Sequence, residues 1–151
     1  MRPAHQLTID QHYHDYPARR LKIDIDGEEI SDEYILWEAM NIRSVGPVLY
    51  LASQAATKDG RLDFVCVRGK DRSLFMKYLG ARQAGRRAKF PLPLCRFRKA
   101  KIVWENSTLH FDSKVWPRKR QKAKRPSDIE ITVKPSALLI LQPRRAEQNS
   151  V

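Results

Sequence analysis

A dense run of basic residues between positions 118 and 125 is the feature of this sequence that most directly suggests chemistry. Six of these eight residues are Lys or Arg, and Pro117 and Pro126 bound the run. No apolar core accommodates so many charges, so we expect an exposed loop. Ammonium and guanidinium groups at this density attract nucleic acid, nucleotide phosphates or an anionic membrane surface. The candidate contact residues are Arg118, Lys119, Arg120, Lys122, Lys124 and Arg125.

The whole chain is basic, and its charge is unevenly distributed. Its 151 residues include 29 Lys and Arg against 17 Asp and Glu, a formal net charge of +12. Residues 1–38 hold four basic and nine acidic residues, whereas Arg72–Arg125 holds 17 basic residues and only two acids, Glu105 and Asp112. A field of one sign favours an anionic partner. Charge alone does not distinguish such a binding surface from a merely solvated one.

A second arrangement interleaves aromatic and basic side chains over residues 96–104. Arg96-Phe97-Arg98-Lys99 is followed by Lys101 and Trp104. Proteins that bind single-stranded nucleic acid stack bases on aromatic rings beside positive charge. Phe97 and Trp104 are equally expected as core residues of a β domain, so both interpretations stay open here.

Patterns typical of metal or disulfide sites are sparse. His12 and His14 lie close together in a lead-in with little periodicity, but two His without a third ligand indicate a metal site only weakly. Cys66 and Cys95 form neither a CxxC pattern nor a disulfide framework. We expect both thiols to act as small hydrophobic groups in a reducing compartment.

Period-two patterns predict a series of short strands with one helix among them. Leu21, Ile23 and Ile25 alternate with charged residues before the turn Asp26-Gly27. Lys58-Asp59-Gly60 is a second predicted turn, and Asn106-Ser107 is predicted to join two strands as a hairpin. The other predicted strands are Tyr34–Trp37, Leu62–Val67, Ile102–Trp104, Leu109–Phe111, Ile129–Val133 and Leu138–Leu141.

The predicted helix follows a possible cap at Asp71 or Ser73. Its apolar residues Leu74, Phe75, Tyr78 and Leu79 fall at helical spacing. Many short strands with close turns and one helix predict a mainly β fold, an antiparallel β-sandwich with one inserted helix.

Length and motifs exclude several classes of enzyme. A chain of this size suits one domain, so an enzyme with separate cofactor and substrate domains is not expected. No βαβ alternation, glycine-rich phosphate loop or GxSxG motif occurs. The aliphatic run at 137–141 is shorter than the roughly 20 residues that span a bilayer. Because residues 1–5 also lack the apolar region of a signal peptide, we expect a cytoplasmic protein.

Four segments follow one another along the chain in an order typical of a known protein family. Asp26–Glu29 resembles a hairpin, and Asn41-Ile42-Arg43 resembles a G-N-x-R turn. Residues 51–68 resemble a segment that runs from A-P-x-A into D-G-x-L-D and a strand ending in Arg. Ile129–Pro143 resembles a closing P-x-A-L-x-I-L-x-P segment. From about Arg20 to Pro143 the chain thus resembles the C-terminal domain of bacterial diacylglycerol kinases and related lipid kinases, the relatives of sphingosine kinase.

The resemblance implies a domain organisation and a function. Residues 1–18 would be a flexible lead-in, 19–143 a lipid-kinase-like β-sandwich domain and 144–151 a tail. Family members transfer the γ-phosphate of ATP to a lipid hydroxyl, and their N-terminal domain carries a G-G-D-G-T loop that this sequence lacks. Because phosphoryl transfer depends on positioned phosphates, the chain alone is not expected to be catalytic.

The same resemblance implies particular partners. ATP would enter only through a missing, separately encoded nucleotide-binding half. The other implied partner is a lipid or an anionic membrane surface, with the protein peripheral at the inner membrane face. A non-enzymatic basic β module that binds nucleic acid or anionic membrane is the alternative.

Two sites are implied at residue level. The D-G-x-L-D turn would bind a structural Mg²⁺ through Asp59 and the backbone carbonyls of Ala56 and Arg61, all oxygen ligands as this cation prefers. An ordinary Asp-Gly turn is the alternative. The family's later D-G-E supplies the base for the lipid hydroxyl, and it corresponds to Asp112-Ser113-Lys114. Since Lys114 replaces the acid, Asp112 is the candidate catalytic base, or else a plain carboxylate at a strand end.

Overall fold

The computed structural model describes residues 15–104, 108–111, 114–116 and 127–137. Its longest described connection, residues 41–61, joins β3 to β4. The strands are β1 (Arg19–Ile25), β2 (Glu28–Glu29), β3 (Asp32–Met40), β4 (Leu62–Arg68), β5 (Cys95–Phe97), β6 (Lys99–Trp104), β7 (Leu109–Phe111), β8 (Lys114–Trp116) and β9 (Ser127–Thr132). A 3₁₀ turn (Gly69–Asp71) leads into the helix α1 (Arg72–Gln83).

The predicted turn at Asp26-Gly27 is confirmed, and it organises one corner of the fold. Both residues have positive φ, 51° and 94°, as the tight hairpin turn between β1 and β2 requires. The Asp26 carboxylate accepts hydrogen bonds from the backbone N–H groups of Arg98 and Lys99. The turn therefore also holds the junction of β5 and β6.

One antiparallel sheet, in the order β5-β4-β3-β1-β6-β9 with β2 beside β1, forms the body of the molecule. Strand β1 belongs to both halves of this sheet: Arg19–Leu21 pairs with β3, whereas Lys22–Ile25 pairs with β6. The halves pack against each other, since Phe64 and Phe97 from one share a core with Ile23 and Ile102 from the other. The mainly β, sandwich-like prediction is confirmed.

The helix covers the outer face of β3 and β4. Its buried residues Phe75, Tyr78 and Leu79 form a second core with sheet residues and with the segment that follows β3. The sheet contributes Ile35, Met40, Val65 and Val67, and the segment contributes Leu51, Ala52 and Ala55. The helix is confirmed where the spacing predicts it, with Asp71 at its N-cap but without a side-chain capping bond. Leu74 is exposed because it lies off the 75/78/79 face.

The predicted hairpin between residues 102–104 and 109–111 is wrong. Strand β6 has β1 on one side and β9 on the other, and β7 pairs with β8 instead. Both hydrogen-bonding edges of β6 are thus occupied by strands distant in sequence. The predicted final strand Leu138–Leu141 lies outside the described residues.

The two thiols differ in environment. Cys66 is half-buried, whereas Cys95 is exposed, so the expectation that both act as small hydrophobic groups is not met by Cys95. Among the described strands, β5 lies at one end of the sheet. Desolvation is the main cause that raises the pKa of both thiols, and nearby Glu28 and Asp26 also raise that of Cys95.

Candidate functional site

Several predicted functional residues lie outside the described part of the chain. They are His12, His14, Asp112 and the basic run of Arg118, Lys119, Arg120, Lys122, Lys124 and Arg125. These stay predictions. The structure describes two other charged regions: the predicted metal turn at Asp59–Asp63, and a basic cleft beside the helix.

The predicted turn before β4 is confirmed. Gly60 has a φ of 65°, which favours glycine, and the backbone N–H of Arg61 donates to Asp59 Oδ1 at 3.0 Å. A Cβ at Gly60 would lie 3.8 Å from the ring of Pro135, which follows β9. The Asp59 side chain therefore stabilises its own turn by accepting this hydrogen bond.

Arg96 joins the two carboxylates of this turn. Its Nη1 lies 3.7 Å from Asp59 Oδ2, and its Nε lies 3.6 Å from Asp63 Oδ1. Its Nη2 donates to the backbone carbonyl of Gln54 at 3.2 Å. Asp63 and Arg96 are cross-strand partners of β4 and β5, and this register brings the guanidinium to the turn.

Burial distinguishes Asp63 from the other carboxylates of the described residues. It is only 3% exposed, and burial raises the pKa of its carboxyl, with Asp59 raising it further and Arg96 lowering it in part. Glu38 on β3 provides a comparison, because burial alone raises the pKa of that carboxyl. Arg96 thus offsets part of the free-energy cost of ionising the Asp63 carboxyl, whereas no basic side chain contributes to the pKa of Glu38.

The predicted Mg²⁺ site, with Asp59 and the backbone carbonyls of Ala56 and Arg61 as ligands, stays a prediction, and other groups already contact Asp59. Asp59 offers one carboxylate, and its two oxygens face the Arg61 amide and the Arg96 guanidinium. A second guanidinium, that of Arg43, donates to the nearby Ala55 carbonyl at 3.4 Å. Within the described residues no group of three His, Cys, Asp or Glu side chains could hold a metal ion. A divalent cation here would be repelled by Arg96, which already supplies positive charge to both carboxylates.

The second charged region is a cleft of about 470 Å³ between the end of the helix and the segment after β3. We call it the basic cleft. It is lined by Val48, Tyr50, Ser53, Arg82, Gly85, Arg87, Ala88, Lys89 and Phe90.

Hydrogen bonds and ring contacts hold the walls of the basic cleft together. The Tyr78 hydroxyl donates to the Tyr50 carbonyl at 2.6 Å, and Arg82 Nε donates to the Val48 carbonyl at 2.8 Å. The Arg82 guanidinium also lies 4.7 Å from the centroid of the Tyr50 ring. On the opposite wall, Phe90 packs edge-on against Tyr78 at 5.6 Å. One helix residue, Tyr78, therefore anchors both walls.

The charge of the basic cleft is not balanced by acids in the segments that build it. Arg82, Arg87 and Lys89 lie in its lining, and neither residues 39–58 nor residues 72–104 contain an Asp or Glu. The motifs and periodicities of the sequence did not predict this site. The signal was present in the long acid-free stretch from 72 to 104, but the pairing of that stretch with residues 48–53 is a tertiary contact.

The interleaved aromatic and basic segment does not present a stacking platform. Phe97 is fully buried and Trp104 is 3% exposed, and the Trp104 ring packs edge-on against Trp37 at 6.1 Å. Both rings are core residues, so neither is available to stack on a nucleic-acid base.

The fold is similar to that of solved diacylglycerol kinase structures. Two chains described as a "putative diacylglycerol kinase" from Bacillus anthracis str. Sterne have TM-scores of 0.51 and 0.54, at 21% and 17% sequence identity. They cover 64% and 83% of this chain, and 33% and 42% of their own length. A diacylglycerol kinase from the same organism has a TM-score of 0.50 at 20% identity, covering 66% of this chain and 36% of its own.

The fold resemblance expected from the sequence is confirmed. The likeness concerns fold alone at these identities, and this chain spans roughly a third to two fifths of the length of the three structures. No family model and no curated protein matches the sequence. No helix among the described residues is long and apolar enough to cross a membrane.

Proposed function

We propose that this chain is the lipid-side domain of a diacylglycerol kinase-like protein. The observation that carries the proposal is the fold similarity, because the chain matches about a third to two fifths of each kinase structure. The order of the family-like segments from Arg20 to Pro143 supports the same conclusion. An ATP-binding domain outside this sequence would complete the enzyme, which would transfer the γ-phosphate of ATP to a lipid hydroxyl.

Asp112 is the proposed general base of that reaction. A carboxylate can accept the proton of the lipid hydroxyl as its oxygen attacks the phosphorus, whereas the neighbouring Lys114 is a cation that accepts none. The ATP-binding domain would hold the nucleotide phosphates. The contribution of this chain would be to hold the lipid and present its hydroxyl.

The test is reconstitution of activity from two halves. The chain is mixed with a nucleotide-binding domain encoded in the same genome, and transfer of ³²P from γ-labelled ATP to diacylglycerol in vesicles is measured. We expect phosphatidic acid only when both halves are present, and its loss in Asp112→Asn. Asp128→Asn is the matched control, since Asp128 is an exposed acid on β9. Absence of transfer from the mixture, or full activity of Asp112→Asn, would contradict the proposal.

The basic run is proposed to hold the domain on an anionic bilayer. Each basic residue near such a surface contributes roughly 1 kcal/mol, so six residues are sufficient for strong electrostatic docking. Co-sedimentation with anionic vesicles should exceed that with neutral vesicles, and Gln at all six positions should abolish the difference. The matched control replaces six exposed bases elsewhere: Lys22, Lys70, Lys77, Arg98, Lys101 and Lys134. Equal binding to both vesicle types would rule out this role.

A further inference from the structure

We infer that the basic cleft binds the phosphate group of an amphipathic phosphate ester. The inference goes beyond the proposed kinase reaction, because it requires neither ATP nor a second domain. It rests on three properties of the cleft: a fixed framework, uncompensated positive charge and an exposed apolar wall.

The framework is fixed by contacts that do not involve the ligand. Tyr78 bonds to the Tyr50 carbonyl and packs against Phe90, and Arg82 bonds to the Val48 carbonyl. Because these contacts already fix the positions of both walls, a ligand does not have to order them first, which lowers the entropic cost of binding.

The positive charge is available to a ligand. Arg87 and Lys89 are exposed, and within the described part of the chain neither has an ion-pair partner. Arg82 is oriented by Val48 and Tyr50, so its charge stays at the cleft. Guanidinium and ammonium groups form strong charge-assisted hydrogen bonds with phosphate oxygens, and Arg does so with two parallel donors.

The apolar wall distinguishes the expected ligand from a bare anion. Val48 is 54% exposed and Tyr50 is 41% exposed, so both present apolar surface to the cleft and to solvent. Phe90 adds a half-buried ring to the lining. A volume of about 470 Å³ accommodates a phosphate together with an organic group. The chemistry fits a phosphomonoester, from either a lipid headgroup or a water-soluble metabolite.

The test is titration of the chain with soluble probes. Calorimetry measures the affinity, and backbone amide chemical shifts locate the binding site. The probes are dihexanoyl phosphatidic acid below its micelle concentration, glycerol 3-phosphate, and uncharged dihexanoylglycerol. We expect both phosphate esters to bind and to shift amides within 48–53 and 82–90, and dihexanoylglycerol to bind at least tenfold more weakly (about 1.4 kcal/mol). We expect phosphatidic acid to bind more tightly than glycerol 3-phosphate, because only the lipid contacts the apolar wall. Equal binding of the two esters would contradict an amphipathic ligand.

Matched variants distinguish specific binding in the cleft from non-specific attraction by the overall positive charge of the protein. Arg87→Gln with Lys89→Gln should weaken both phosphate esters by about tenfold or more, since two charge-assisted bonds are lost. Lys77→Gln with Lys101→Gln removes the same charge at exposed positions outside the cleft and should leave binding within about twofold. Tyr50→Ala should weaken phosphatidic acid more than glycerol 3-phosphate, because only the lipid uses the apolar wall.

Three other results would overturn the inference. They are no binding of either ester, equal loss of binding in the cleft variant and its matched control, and amide shifts outside the cleft segments. Reconstituted kinase activity is a separate readout, so failure of the kinase proposal would leave this test unchanged.

Discussion

The turn at Asp59–Asp63 and the basic cleft use the same kind of side chain for opposite purposes. In the turn, one guanidinium lies against two carboxylates and a backbone carbonyl, so its charge is compensated inside the fold. In the cleft, Arg87 and Lys89 have no ion-pair partner among the described residues, although they belong to the same acid-free stretch from 72 to 104 as Arg96. The comparison teaches that a basic residue indicates a binding site only where the fold leaves its charge uncompensated.

The largest expected effect is on the free energy of unfolding, and it tests whether the ring of Tyr78 holds the walls of the basic cleft together. Tyr78→Ala removes a buried ring that packs against Phe75 and Phe90 and also removes the bond to Tyr50. We expect it to lower the free energy of unfolding by about 3–5 kcal/mol, as for other buried aromatic truncations. Urea unfolding followed by circular dichroism measures it.

Tyr78→Phe is the control for that substitution. It keeps the ring and loses only the hydroxyl, so we expect a loss of about 0.5–1.5 kcal/mol. Equal losses for the two variants would mean that the hydrogen bond, and not the ring packing, dominates at this position.

The next largest effect tests whether Arg96 compensates the charge of the buried Asp63 carboxylate in the turn. Arg96→Gln removes the charge that lowers the pKa of Asp63, so the buried carboxylate becomes more costly to ionise. Because Arg96 is 43% exposed, solvent screens the pair, and we expect a loss of about 1 kcal/mol at pH 7. Arg98→Gln is the control, because Arg98 is an exposed arginine two residues after Arg96, and it should change stability little.

The pH dependence of this variant has a definite sign. A carboxyl whose pKa is raised in the folded state contributes stability that is present in acid and lost as the pH rises through that pKa. Since the variant raises the pKa further, its deficit relative to wild type should appear as the pH rises and vanish in acid. A deficit that grows in acid would contradict this account.

A smaller effect is expected at Glu38, a half-buried carboxyl for which burial is the one cause of its raised pKa. Because this pKa is higher in the folded than in the unfolded state, stability is lost as the pH rises from the unfolded-state pKa through the raised value. Glu38→Gln should therefore be slightly more stable than wild type at pH 7, with the difference closing toward pH 4. Chemical unfolding at both pH values measures the difference, and lower stability at pH 7 would contradict the sign.

The smallest effect concerns divalent cations. A ligand that binds only the folded state stabilises that state, increasingly as the ligand concentration exceeds its Kd, so a bound Mg²⁺ should raise Tm. Because Arg96 already lies against both carboxylates, we expect neither Mg²⁺ nor EDTA to shift the Tm of wild type. Arg96→Gln should acquire a Mg²⁺-dependent rise. A rise already in wild type would contradict this expectation and support the predicted metal site at Asp59.

Local patterns predicted the elements of this fold well where neighbours in sequence are also neighbours in space. The Asp26-Gly27 turn depends on backbone freedom at two residues, and the helix depends on the spacing of Phe75, Tyr78 and Leu79. The hairpin predicted at 106–107 failed for the opposite reason. Strand β6 pairs with β1 and β9. The residues of a predicted turn do not indicate which strands, distant in sequence, will pair with the edges of β6.

The sequence by itself determined the basic character of the chain, its β-rich elements, its helix and the order of its family-like segments. Only the tertiary structure decided which charges are compensated. The β4–β5 register brings Arg96 to Asp63, and Tyr78 joins residues 48–50 to the helix. Such contacts depend on long-range packing, because residues far apart in sequence become neighbours only when the sheet and helix bury their apolar faces.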